Sequence, residues 1–451
     1  MITRLENQLN DFDLNVRKKA LHELLTLTQK RPNLLPPQAN LVNMHCHSFF
    51  SFNSYGFSPS ALVWLALRKG LKVAGIVDFD TLDGIEEFLE GCDLTEVHSS
   101  AAMETRIYIP EFSTRVTNSP GEPGISYHMG IGFTSQSINQ IGKDIMAKMR
   151  QRADARNRDI VGRLNAYLDP VAIDYDHDVI PLTPAGNVTE RHILVAYLDA
   201  VKRHIKQTLE YWSNKLDLDK ETVSASMADT AKFSDLVRRK LIKRGGVAYI
   251  QPSPETFPTA EEFHEMVQTN GALPTICYLD GSTDGELCME ELLELLTGKG
   301  VVAMNMIPNL AIPELQENPD NSSLRQYRCD LLYRTARLAE EFDLPLHIGT
   351  EMNSFGQRQV DDLYSPELSQ LREQFIQGAF FIYGHTRLQR ELGIGYQSEW
   401  AKAYLPTRAM RNQFYIQVGM AVTPGQDGIN KLKKLQPSMN PVDIIKGLKN
   451  N

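Results

Sequence analysis

The chain predicts an α/β fold, a barrel-type parallel sheet broken by a helical insertion, and three observations carry that prediction. Short apolar runs, such as 71–78 and 301–306, alternate with stretches of helical periodicity, as βα units do. Histidine and carboxylate residues recur at the carboxyl ends of those runs, the end where barrel folds build their sites. From about Ser135 to Arg239 the strand series stops and apolar residues recur at helical spacing instead.

The elements follow in order. Residues 1–36 read as an N-terminal helical extension. Val16, Ala20, Leu21, Leu24, Leu25 and Leu27 form an apolar stripe among charges that stops at Pro32, before the Pro36-Pro37 linker. Residues 37–134 form the first part of the barrel, with strands at 41–44, 71–78, 97–109 and 125–131 and helices at 59–69 and 83–90. Residues 135–240 are the insertion, where Ile138, Ile141, Ile145 and Met149, then Ile193, Tyr197, Val201, Ile205 and Leu209, keep helical spacing. Residues 241–390 resume the barrel, with strands expected at 246–250, 272–278, 301–306 and 344–349. Residues 391–451 are a C-terminal extension rich in aromatics and charges.

Composition narrows the classes. At 451 residues the chain is long enough for a large core plus an added module. A net charge of −9 argues against an extended nucleic-acid surface, which needs excess Lys and Arg, but leaves room for a local basic pocket. Five cysteines at 46, 92, 277, 288 and 329 form no C-x-x-C pair, as expected of a reduced, cytoplasmic protein. The first residues lack an apolar signal core and no run nears 18 apolar residues, so no membrane partner is expected. Oligomeric state is not legible.

The richest motif is Met44-His45-Cys46-His47-Ser48. On a strand His45 and His47 project to one face and Cys46 to the other, giving half a metal site. Asp78, Glu104, His128 and Glu351 then appear at or near later strand ends. In that order the residues resemble the polymerase-and-histidinol-phosphatase (PHP) superfamily of metal-dependent phosphoesterases, from about Leu41 to Phe355. His45-Cys46-His47-Ser48 matches the opening H-x-H-S/T. Asp78-Phe79-Asp80-Thr81 matches the stretch usually read D-H-x-T, Glu104 the bridging carboxylate, His128 the following strand histidine, and Glu351-Met352-Asn353 the closing D-x-H.

The resemblance implies a distorted (βα)7 barrel capped by the insertion, and a metal-dependent hydrolase, expected to be a phosphoesterase acting on a small phosphorylated metabolite or nucleotide. It also implies metal ligands at His45, His47, Glu104, His128 and Glu351 and catalytic roles for Glu104, His128 and Asp78. Departures stand beside the matches. Phe79, Tyr278 and Asn353 occupy family histidine positions and Glu351 an aspartate position, so one or two divalent ions (Zn, Mn or Fe) are expected rather than three. The second ion would use Glu104 and His128, with Tyr278 or Asp280. Asp78 has a second reading, as a carboxylate that orients a ligand histidine.

Arg191 and His192 rest on a different argument. Cations oppose the dipole in a helix first turn, so a pair there after Thr189 makes sense beside a bound anion. The insert-bearing PHP enzymes carry a similar element on substrate phosphate. With Tyr278, these are the expected substrate-binding residues. His22, His98, His177, His204, His264 and His347 are expected at the surface or in packing, whereas His385 ends an apolar run and could enter the site. Two alternatives remain open: hydrolysis of a C–N or other non-phosphate bond, and metal or anion binding without turnover.

Overall fold

A computed structural model describes residues 1–312 and 322–450. Seven strands form one sheet in chain order: β1 Val42–Cys46, β2 Val73–Phe79, β3 His98–Tyr108, β4 Ile125–Ile131, β5 Leu273–Tyr278, β6 Ala303–Met306 and β7 Leu346–Ile348. The sheet curls nearly shut. Past the end of β7, the amides of Thr350 and Glu351 both donate to the His45 carbonyl, and the His47 amide donates to the Glu351 carbonyl at 2.8 Å. This closure brings the end of β7 onto the H-x-H stretch.

One strand departs from the parallel pattern. β4 runs antiparallel to both β3 and β5, while the other pairs are parallel. The segment between β3 and β4 holds a single turn of 3-10 helix, Pro110–Phe112, and no crossover helix of the kind a parallel return uses. A second expectation fails at 246–250, where no strand forms. A Cβ on Gly246 would meet the Leu241 carbonyl at 2.5 Å, and the Ala248 amide donates to that same carbonyl. The stretch is a tight helix ending, and Ala248 is buried in the insertion core rather than the barrel.

Most helix boundaries follow local chemistry. The helix Pro59–Lys69 starts with Ser58 accepting the Ala61 amide and Pro at its first position, and stops at left-handed Gly70. The helices Ile2–Gln8 and Leu14–Lys30 pack on the barrel, where Arg17 inserts a buried two-pronged pair onto Glu87 at 2.8 and 2.5 Å.

The long helix Gln140–Tyr167 joins two cores. Met146 and Met149 belong to the barrel core, whereas Ile160, Val161 and Leu164 belong to a second apolar cluster spanning residues 160–248. The insertion therefore has its own core. The C-terminal stretch, by contrast, is part of the main one: Phe414, Tyr415 and Val418 join it. The helices Arg372–Leu392 and Arg408–Ala421 touch backbone to backbone, since a Cβ on Gly384 would sit 2.0 Å from the Tyr415 carbonyl. No helix among the described residues is long and apolar enough to cross a membrane.

Candidate metal centre

His45 lies in β1, His47 one residue past its end and Glu104 on the inner face of β3, one strand beyond β2, all within 2% of full burial. His45 Nε2, His47 Nε2 and a Glu104 oxygen lie within 4.8 Å of one another. Glu104 Oε2 is 3.5 and 3.3 Å from the two imidazole nitrogens and has no hydrogen-bond partner.

The partners on the far side of each ring set what these atoms offer. Asn305 turns its amide nitrogen to His347 Nδ1 at 3.1 Å, so its oxygen, 2.9 Å from His45 Nδ1, accepts a proton from His45. Ser51 gives its hydroxyl hydrogen to Asp78 at 2.6 Å, so its oxygen accepts from His47 Nδ1 at 3.1 Å. Both Nε2 atoms are then lone pairs, 3.3 Å apart and facing a carboxylate oxygen. Three acceptors converging in a buried space without a donor need a cation. A proton is the substitute: burial opposes charge on His45, but Glu104 beside it overrides this and raises its pKa to about 9. For Glu104, burial pushes up and the two histidines pull down more strongly, to about 2.

Glu351 stands at the rim, its Oε2 4.0 Å from His47 Nε2 and bonded by the Asn353 amide. Glu351 and Met352 both adopt φ of 61°, a left-handed conformation costly for residues with a Cβ, held by the backbone closure onto β1. Asp78 accepts the Ser48 amide, the Ser48 hydroxyl and the Ser51 hydroxyl at 2.8, 2.6 and 2.6 Å. It therefore acts on His47 through Ser51 and is not placed as a direct ligand. Phe79 stacks flat on His47, with centroids 4.4 Å apart, as a wall.

His128 is not brought to the centre, which corrects both its ligand and its catalytic expectation. The β3–β4 register opposes it to Thr105 rather than Glu104, so it points to the outer face. There its Nε2 meets His264 Nε2 at 2.9 Å. The one-residue parity of a reversed strand was not legible without knowing its direction. Tyr278 lines the neighbouring cavity, but its hydroxyl is turned away and buried against Gly281, and the residue of β5 that faces Glu104 is Cys277, with Sγ 3.9 Å from Oε1. Burial and the neighbouring carboxylates hold the Cys277 thiol well above its usual pKa. Asp280 pairs with Arg328 and Ser282. His385 accepts the Tyr396 amide, fully buried in helix packing outside the centre.

Above the metal corner opens a cavity of about 430 Å³. Glu104, Glu351 and Cys277 of the barrel line it together with Arg156, Asn187 and Arg191 of the insertion. Asn187 ties the insertion down, its amide donating to the Phe50 and Phe79 carbonyls at 3.0 and 2.7 Å. Five cations reach the cavity. Arg106 pairs with Glu122 at 2.9 Å, and Arg238 and Lys243 share Glu190 at 2.7 Å each. The other two have no carboxylate in ion-pair contact among the described residues. Arg191 lies 5.9 Å over the Phe52 ring and reaches only Asn353, at 3.4 Å. Burial and Arg238 lower its pKa to about 10. Arg156 lies 5.5 Å over Phe257, with the charges of Asp80 and Glu190 acting on it but no hydrogen bond among the described residues. Sequence reading missed Arg156, because a lone arginine inside a long charged helix carries no local signal.

His192 is a correction too. Its Nδ1 accepts the Thr189 amide at 3.1 Å and closes a capping box. It is buried, and burial lowers its pKa to about 3, so it presents no charge to an anion.

No protein-family model and no curated protein matches the chain. Among solved structures, an amidohydrolase from Chromobacterium violaceum with bound sulfate and no metal is similar at TM-score 0.48 and 14% identity, covering 74% of this chain and 97% of that one. A protein from Bifidobacterium adolescentis, provisionally described as a metal-dependent phosphoesterase, is similar at TM-score 0.47 and 17% identity, covering 75% and 97%. At these scores the likeness carries no argument about this chain, whose chemistry rests on its own geometry.

Proposed function

We propose that this protein is a metal-dependent hydrolase of phosphate esters, related to the insert-bearing PHP enzymes and acting on a small phosphorylated metabolite or nucleotide in the cytoplasm. One observation carries the reading: three buried lone pairs converge beside a cavity also lined by Arg156 and Arg191, which have no carboxylate in ion-pair contact among the described residues. A cation site in the same cavity as two guanidinium groups outside close ion pairs suits an anionic substrate bridging the two. The cavity volume falls in the range of small-ligand sites.

His45, His47 and Glu104 would hold the first ion, with Glu351 at the rim. The mixed nitrogen and oxygen donors suit Zn, Mn or Fe. A bound divalent ion supplies a coordinated water of lowered pKa and polarises a phosphoryl oxygen. The chain does the rest. Arg191 and Arg156 take up charge on the phosphoryl oxygens, Asp78 and Asn305 keep both imidazoles turned to the ion, and the insertion keeps water from the reacting group.

Screening purified protein against phosphomonoesters and phosphodiesters with added Mn or Zn should give metal-dependent release of phosphate or alcohol. Turnover only of amides or cyclic C–N substrates would replace the phosphate reading. Tight binding of a phosphorylated compound with no turnover of any class would replace the enzyme reading.

A further inference from the structure

We infer that Cys277 is a ligand of the metal centre, bound beside Glu104 Oε1, and that it gives the centre a preference for thiophilic ions such as Zn²⁺ and Co²⁺. The inference rests on the metal-centre reading above. Alternation along β5 turns Ile276 outward opposite His128 and Cys277 inward opposite Asn305, the residue that orients His45. Asn118 fixes this strand end, donating to the Cys277 carbonyl at 2.7 Å.

Glu104 has two oxygens with different neighbours. Oε2 faces His45 and His47 and lacks a hydrogen-bond partner, whereas Oε1 has the Cys277 sulfur at 3.9 Å. The thiol is outside the three-atom group, so it addresses an ion through the second carboxylate oxygen, with Glu104 shared between the two donor sets. Glu104 and Cys277 both line the cavity, so water or substrate oxygens can complete such a site. On binding, the thiol proton passes to water as the sulfur–metal bond forms. A thiolate favours soft and borderline ions over Mg²⁺ and Mn²⁺.

The test uses cobalt in the full-length protein. Cobalt-loaded wild type should show visible ligand-field bands and a near-ultraviolet thiolate-to-cobalt charge-transfer band. Cys277→Ser should lose the second and keep the first, and its ratio of Zn²⁺ to Mn²⁺ affinity should fall at least tenfold. Ligand-field bands with no charge-transfer band in the wild type, which needs no variant, or a band that survives in Cys277→Ser, would overturn the inference and leave the proposed function standing. Failure of cobalt to bind at all would overturn both.

Discussion

Two buried histidine pairs, one on each face of the sheet, look alike and do opposite things. His45–His47 and His128–His264 each bring two Nε2 atoms together, at 3.3 and 2.9 Å, and all four rings are within 2% of full burial. On the outer face His264 Nδ1 donates to the Lys299 carbonyl at 2.8 Å, which leaves its Nε2 free to accept from His128. That pair supplies its own donor and acceptor and leaves only His128 Nδ1 without a hydrogen-bond partner. On the inner face Asn305 and Ser51 accept hydrogen bonds from both Nδ1–H groups, so both Nε2 atoms are acceptors and a carboxylate adds a third. The partner behind each ring decides whether two histidines bond to each other or present two lone pairs that could hold an ion.

The largest effects should separate the two pairs outright. His45→Ala or Glu104→Ala should release bound metal and abolish hydrolysis, as read by elemental analysis and phosphate release. His128→Ala should leave metal content unchanged and cost roughly 2–4 kcal/mol of stability, the scale of a buried side chain lost with its hydrogen bond. Metal lost from His128→Ala would return that residue to the centre.

Acid sharpens the contrast. Burial lowers His264 to about 4 and His128 well below its ordinary value. Folded pKa values below the unfolded 6.5 mean that the unfolded chain binds protons first, so stability is present above pH 6.5 and is lost as pH falls through about 4. Each such group contributes a slope of up to about 1.4 kcal/mol per pH unit within that window. Urea unfolding of His264→Gln should show a slope shallower by up to one proton. An unchanged slope would mean that the pair is not neutral in the folded protein.

The cavity arginines come next. Arg156→Ala and Arg191→Ala should each lower kcat/KM about tenfold to a hundredfold, the worth of a charge-assisted contact of roughly 1.5–3 kcal/mol, with metal content intact. His192→Ala should act through its cap instead, costing about 1 kcal/mol of stability. A pair in which only the histidine variant loses substrate affinity would reverse the assignment.

How much of this the sequence shows depends on the range of the cause. H-x-H at a strand end needs only two-residue parity, and Glu104 inside an apolar strand marks itself as a costly carboxylate, so both are legible. The helix Pro59–Lys69 and strand Ile125–Ile131 carry their own caps and alternation. The direction of β4 is set by chain connection, and it moves His128 to the wrong face. Cys277 and Tyr278 differ by one position on β5, and only the register tells which looks inward. Arg156 and Asn305 reach the site from elements with no motif, and the Asn305 contact that matters, with His45, lies 260 residues away in sequence.

Asn305 gives the smallest and most exacting prediction. Its amide does two jobs, accepting from His45 Nδ1 and donating to His347, whose Nε2 is otherwise unpartnered. Asn305→Asp keeps the acceptor for His45 and should preserve metal binding, whereas Asn305→Leu removes it and frees His45 to put its proton on Nε2, where the ion must sit. Loss of such an outer partner weakens metal binding about 10–100-fold. The expected order of affinity by competitive chelation is wild type, then Asn305→Asp close behind, then Asn305→Leu. His347→Leu should fall between, since it leaves the His45 acceptor in place and removes only what fixes the orientation of the Asn305 amide. If Asn305→Leu binds metal as tightly as wild type, the tautomer of His45 is set by Glu104 alone, and the contrast between the two histidine pairs lies in the carboxylate rather than in what stands behind the rings.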